Sequence, residues 1–186
     1  ENHGQHLAMG TDNIVPARLT DLIEENLQGK MELLIAPHIP YGVADYHRGF
    51  PGTMSLGTDL LKKVMNKLCE DLFAYGVRKF IFLNGHAGNT SVLTEVAVDL
   101  DTKGALAAIV DWWDCVGDIN EKWPNGGHAS GVETAAVMGI NPNWVHMESC
   151  QPLIRHKLAE NMPYVGMNKI EYKGVKFLVP RNYRKM

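Results

Sequence analysis

KFIFL at residues 79–83 runs directly into NGHAGN at 84–89, and then into a stretch where Val92, Leu93, Val96, Ala97 and Leu100 share one helical face. An apolar run, a glycine-bearing turn and a 3.6-residue period make a strand–turn–helix unit. The same alternation continues on both sides. Upstream, Leu60, Leu61, Val64, Met65, Leu68, Leu72 and Phe73 recur at helical spacing between a capping Thr58 or Asp59 and a terminating Gly76. Downstream, LAAIVD at 106–111 is a second strand. Strands that alternate with helices predict an α/β fold, in three α/β/α layers, with a mostly parallel sheet covered on both faces. In such sheets ligands bind beyond the carboxyl ends of the strands, where NGHAGN lies.

Further out, residues 1–12, ENHGQHLAMGTD, have neither strand nor helix period and read as a loop dense in functional groups. A helix is expected over 16–28, with Pro16 in its first turn, Leu19, Leu22, Ile23 and Leu27 as its apolar stripe, and Gly29 ending it. ELLIA at 32–36 reads as a short buried strand, and 37–57 as a long loop of the kind that carries function. A tryptophan-bearing loop with Trp112, Trp113 and Trp123 leads to GGHASGVETAAVMGI at 126–140, whose latter part is helical. IEYKGVKFLV at 170–179 alternates about Lys173-Gly174 as a β-hairpin. The 186 residues are read as a single domain, 1–186. They begin at Glu1 with no leading apolar strand, so an N-terminal strand is expected to be missing.

Composition narrows the function. With 45% hydrophobic residues and a net charge of −3, the chain is not of the disordered type. It also lacks the basic excess of a nucleic-acid binder. No apolar run approaches the roughly 20 residues of a membrane span. Cys69, Cys115 and Cys150 are odd in number and form no CxxC, so neither a disulfide framework nor a zinc knuckle is indicated, and a cytoplasmic setting is expected. Cys115 is expected to be a small buried apolar residue. Eight histidines, several beside glycines and carboxylates, are the unusual feature.

Three groups of residues could carry chemistry. Glu1, His3 and Asp12 are ligand types for divalent ions, and residues two apart in an extended loop point the same way; a polar loop is the plainer alternative. His86 projects from NGHAGN, which could also cradle an anion but lacks a P-loop's lysine and a dinucleotide site's GxGxxG, or could be only a tight turn with a capping Asn. His128 follows two glycines, and Glu133 falls in the first turn of a helix, where a carboxylate is favoured whatever its function. Together they form the inventory of a carboxylate-bridged dinuclear hydrolase. His47 in the long loop is a candidate substrate contact or a solvated residue.

ENHGQHLAMGTD, FPGTMSL, NGHAGN and HASGVET, in that order, resemble the creatininase (creatinine amidohydrolase) family over residues 1 to about 140. The resemblance implies a creatininase-like metallohydrolase fold, often a hexameric ring, with two divalent ions at the strand ends: usually zinc or manganese, sometimes iron. It implies Glu1, Asp12 and His86 as ligands of one ion, and His3 with a bridging Asp12 as ligands of the other. His128 would move protons, and Trp113 and Trp123 would enclose substrate. Two departures stand out. Creatininase has a glutamate ligand two residues after the histidine of its Gly-His motif, where this chain has Gly88. Many relatives have His-Ala-Gly-Glu, where this chain has Gly131. Glu133 is therefore the candidate for the second ion's remaining ligand.

The expected activity is hydrolysis of a small cyclic amide or related C–N bond by a metal-bound hydroxide. Ring opening of a cyclic, inosose-type ketone on the same metals, or non-catalytic binding of a metal or small molecule, are the alternatives. A small-molecule substrate and a homo-oligomer are the expected partners; no nucleic acid or membrane is expected.

Overall fold

The computed structural model describes residues 1–116, 127–151, 159–163, 165 and 169–179. Helix α1 spans Thr11–Leu27, α2 Gly57–Ala74, strand β1 Lys79–Asn84, α3 Thr90–Asp101, β2 Leu106–Asp111 and α4 Gly131–Ile140. Strands β3, Lys169–Tyr172, and β4, Val175–Leu178, form the hairpin. Its turn places Lys173 and Gly174 at φ +49° and +78°, the left-handed pair that matches strand twist.

β1 and β2 pair in parallel, from Lys79 opposite Leu106 to Asn84 opposite Asp111. The crossover between them is α3. Phe80, Phe82 and Ala107 turn one face of this sheet towards α2 and α3, where Leu61, Cys69, Val92, Val96 and Leu100 are buried. Leu83 reaches the other face, where Val15 and Leu19 of α1 and Val132 and Val137 of α4 close a second cluster over Trp112. Each fully buried aliphatic side chain contributes roughly 1.5–3 kcal/mol. The three-layer α/β arrangement expected from the sequence is therefore present.

Two expected elements differ. Residues 32–36 form no strand: Leu33, Leu34 and Ile35 are 41%, 73% and 39% exposed, and β1 pairs only with β2 among the described residues. An apolar run becomes a strand only when a neighbour takes its backbone bonds. Helix α1 begins five residues before Pro16, which lies in its interior. Pro16 has no N–H for the carbonyl of Asp12, and that carbonyl instead abuts Gly85, where an added Cβ would lie 2.0 Å from it. The proline thus lets the NGHAGN turn dock on the first turn of α1, which carries Asp12. Cys115, expected to be buried, is exposed.

Candidate metal centre

The carboxyl ends of β1 and β2 finish in polar residues that fix the following turn. The Asn84 amide donates to Asp111 Oδ1 at 2.7 Å, and the Thr90 hydroxyl donates to the same carboxylate. Asn84 Oδ1 accepts the backbone N–H of His86 at 3.1 Å. Asn89 Oδ1 accepts the N–H of Val43, tying the long loop to the turn. Asn84 and Asn89 belong to the NGHAGN motif read from sequence, whereas the part of Asp111 in fixing it is a finding of the structure. The signal for it was the abrupt change from apolar to polar residues at both strand ends.

Onto this frame the structure brings Glu1, His3, Asp12, His86, His128 and Glu133 together. His86 Nδ1 lies 3.0 Å from Glu1 Oε1 and 3.2 Å from Asp12 Oδ2. His3 Nε2 lies 2.9 Å from Asp12 Oδ1 and 3.8 Å from Glu133 Oε2. His128 Nδ1 lies 3.1 Å from Glu1 Oε1. Among the described residues, three groups have donor atoms within 4.8 Å of one another: Glu1, Asp12 and His86; His3, Asp12 and Glu133; and Glu1, His3 and His128. The first two share Asp12, with one oxygen turned to each histidine.

In each of these histidines the other ring nitrogen faces a backbone carbonyl: His86 Nε2 that of Val43 at 2.8 Å, His3 Nδ1 that of Glu1 at 3.1 Å, and His128 Nε2 that of Asn2 at 2.6 Å. A carbonyl only accepts, so those nitrogens carry the protons. That leaves Nδ1 of His86, Nε2 of His3 and Nδ1 of His128 as the ring nitrogens that face the carboxylates.

Burial sharpens the electrostatics. Burial favours the neutral form of Glu1, yet bonds from His128, His47 and His86 outweigh it and hold this carboxyl far below the usual range. Asp12 is likewise lowered, burial being overcome by His3 and His86. Burial disfavours a charged His86, but Asp12 and Glu1 push its pKa up to about 10. His3 is raised in the same way, by Asp12 and Glu133 against burial. Glu133 is raised, with burial the main cause and the Asp12 charge adding to it, against His3 and His128. Without a cation, the buried Glu1 and Asp12 carboxylates favour the protonated form of His86, and Asp12 with Glu133 that of His3.

Glu133 also serves the backbone: its Oε2 accepts the N–H of Ala129 at 2.6 Å, so its capping and site positions coincide. Ala129 sits at φ +50°, a conformation uncommon for a residue with a Cβ. His47 is buried, with Nδ1 2.8 Å from Glu1 Oε2, so it is not a solvated loop residue. His6 is buried outside the group, with Nε2 3.2 Å from the Thr134 hydroxyl. Trp113 packs beside Trp112 on the α1/α4 cluster, and Trp123 lies outside the described residues.

Gly88 explains why no acid stands two residues after His86. A Cβ there would lie 2.1 Å from the Val43 oxygen and 2.4 Å from His86 Nε2. Gly88→Ala is expected to part His86 from Val43 and to lower stability by about 1–3 kcal/mol, the usual range for overpacking. A urea-unfolding midpoint equal to wild type would contradict this.

Comparison with known proteins adds four likenesses. The model of the creatininase family, described as creatinine amidohydrolase, matches residues 1–176. A mycofactocin precursor peptide peptidase of Mycolicibacterium smegmatis is 30% identical over 166 residues, covering 88% of this chain and 63% of that protein. The chain thus spans less than two thirds of that relative's length. A crystal structure of creatinine amidohydrolase (creatininase) superposes with a TM-score of 0.70 at 25% identity, over 88% of this chain and 69% of that one. A mutant creatininase described as Zn-Zn type gives 0.70 at 24% identity, over 88% and 69%.

Proposed function

Because the chain belongs to the creatininase family, we propose that it is a metal-dependent hydrolase of a C–N amide bond, acting on a small cyclic amide. The observation that carries this reading is the division of Asp12 between two ligand groups, Glu1/Asp12/His86 and His3/Asp12/Glu133. Both are mixed carboxylate and imidazole sets of the kind that zinc and manganese take. The Zn-Zn description of a creatininase with the same fold supports zinc.

Two divalent ions held there would polarise the scissile carbonyl and provide a nucleophile at neutral pH. The chain's own residues do the rest. Glu1 and His3 are closed off, at 2% and 0% side-chain exposure, whereas Asp12, His86 and His128 keep 15–18% and form the side open to substrate. His128, with Nε2–H committed to the Asn2 carbonyl, can take up and release a proton only at Nδ1. From there it delivers a proton to the leaving nitrogen as the C–N bond breaks.

A second reading, cleavage of a peptide amide, is favoured by the likeness to the mycofactocin peptidase. Measuring kcat/KM, before and after chelation, for creatinine and other small lactams, a cyclic polyol ketone and C-terminal peptide amides separates these substrates. Chelator-sensitive turnover of a lactam is expected; activity on none of them would leave a binding protein. A homo-oligomer, hexameric as the family resemblance implies, is proposed with this reading, and solution mass tests it.

The raised histidines give a pH prediction. A cation must displace the proton that His86 holds up to about pH 10, so metal affinity is expected to rise with pH across the neutral range. Calorimetry at pH 7.5 in buffers of different ionisation enthalpy is expected to count at least one proton released per chain. Metal uptake with no proton release would contradict the assigned ligands.

A further inference from the structure

Glu1 is almost wholly buried, and its two carboxylate oxygens face different neighbours. Oε1 lies 3.0 Å from His86 Nδ1 and 3.1 Å from His128 Nδ1. Oε2 lies 2.8 Å from His47 Nδ1. His47 ends the short helical turn Asp45–His47 in the loop before α2. Its backbone N–H donates to the Ala44 carbonyl, and its carbonyl accepts from Phe50. Ala44 is in turn bonded to Ser55. The His47 ring stacks on that of His128, with centroids 4.2 Å apart and planes 27° apart. The same loop supplies the Val43 carbonyl that fixes His86.

From this we infer that His47 is a positioning residue for the metal centre: its Nδ1–H holds Glu1 Oε2 and so presents Oε1 as the donor beside His86. A carboxylate on a short side chain can rotate to offer either oxygen, or both, to a cation. A hydrogen bond to one of them removes that freedom and leaves one donor direction. The stack on His128 then sets the distance between the ligand group and the proton carrier. One loop, residues 43–47, orients a ligand of each type: His86 through its tautomer, Glu1 through its rotation. The inference rests on the reading of Glu1 as a ligand.

The test uses the full chain and three variants, with zinc affinity read by competition with a chromophoric chelator. The visible spectrum of the cobalt-substituted protein is read beside it. His47→Phe keeps a stacking ring without the Nδ1 donor. It is expected to weaken one of two zinc-binding steps by roughly 10–100-fold, the effect usual for an outer ligand-orienting group, and to alter the cobalt bands. His47→Asn restores a donor near Nδ1 and is expected to stay within about threefold of wild type. His47→Gln places its donor near Nε2 and is expected to behave like His47→Phe.

Wild-type zinc affinity and unchanged cobalt bands in His47→Phe, with only KM raised, would overturn the inference and make His47 a substrate contact. If His47→Phe loses its far-ultraviolet circular dichroism, the Asn and Gln variants decide: equal zinc affinity in the two overturns the inference. A wild-type chain that takes up no zinc overturns the metal reading itself, and this inference with it.

Discussion

Asp12→Ala is expected to remove both metal ions and all measurable hydrolysis while leaving the chain folded. Asp12 alone belongs to both ligand groups that would hold the two ions, with Oδ1 facing His3 and Oδ2 facing His86 at 2.9 and 3.2 Å. Removing it leaves each group one carboxylate and one imidazole, too few donors for a closed site. Activity is expected to fall by at least roughly a thousandfold, since nucleophile and carbonyl activation are lost together. The fold is expected to survive because Asp12 lies at the start of α1 and outside both apolar clusters. Its loss costs a favourable charge at a helix N-terminus, about 0.3–1 kcal/mol. Metal content, circular dichroism and turnover on one preparation check all three expectations. Asp12→Asn keeps the shape and removes the charge. It is expected to match Asp12→Ala in metal content, because an amide oxygen is a poor bridge between two cations.

His128→Ala is expected to do the opposite: retain both ions and lower kcat by about 10²–10⁴, the usual contribution of a positioned acid or base. The geometry makes this a sharp test, because His128 also groups with Glu1 and His3 as a possible ligand set. A ligand and a proton carrier are told apart by metal content. Two ions retained, with KM within about threefold of wild type, assign the proton role. Loss of one ion per chain assigns ligation instead. A kcat equal to wild type removes His128 from the mechanism.

The sequence made the strand–turn–helix unit around His86 legible, because its apolar run, its glycines and the helical stripe after them are all local signals. It placed Glu133 in the first turn of α4 for the same reason. Residues 32–36 were misread because periodicity reports what could pair, and pairing needs a neighbour that periodicity does not show. The start of α1 was misplaced because Pro16 is a strong first-turn signal, yet here it frees the Asp12 carbonyl to meet Gly85. Within the site, the identities of the converging residues were legible from their order along the chain. What each ring nitrogen does was not: the tautomers of His3, His86 and His128 depend on carbonyls of Glu1, Val43 and Asn2. Two of these carbonyls, those meeting His86 and His128, come from distant segments. The burial of His47 against Glu1 was hidden likewise, since a histidine in a long loop looks solvated until the loop is folded back.

Glu1, His3, Asp12, His86 and Glu133 are proposed to hold two divalent ions. Equilibrium dialysis of the metal-free chain against zinc, followed by elemental analysis, tests that directly. Two ions per chain are predicted, falling below one in Asp12→Ala. No ion bound to the wild-type chain, or an uptake that Asp12→Ala leaves unchanged, would contradict it.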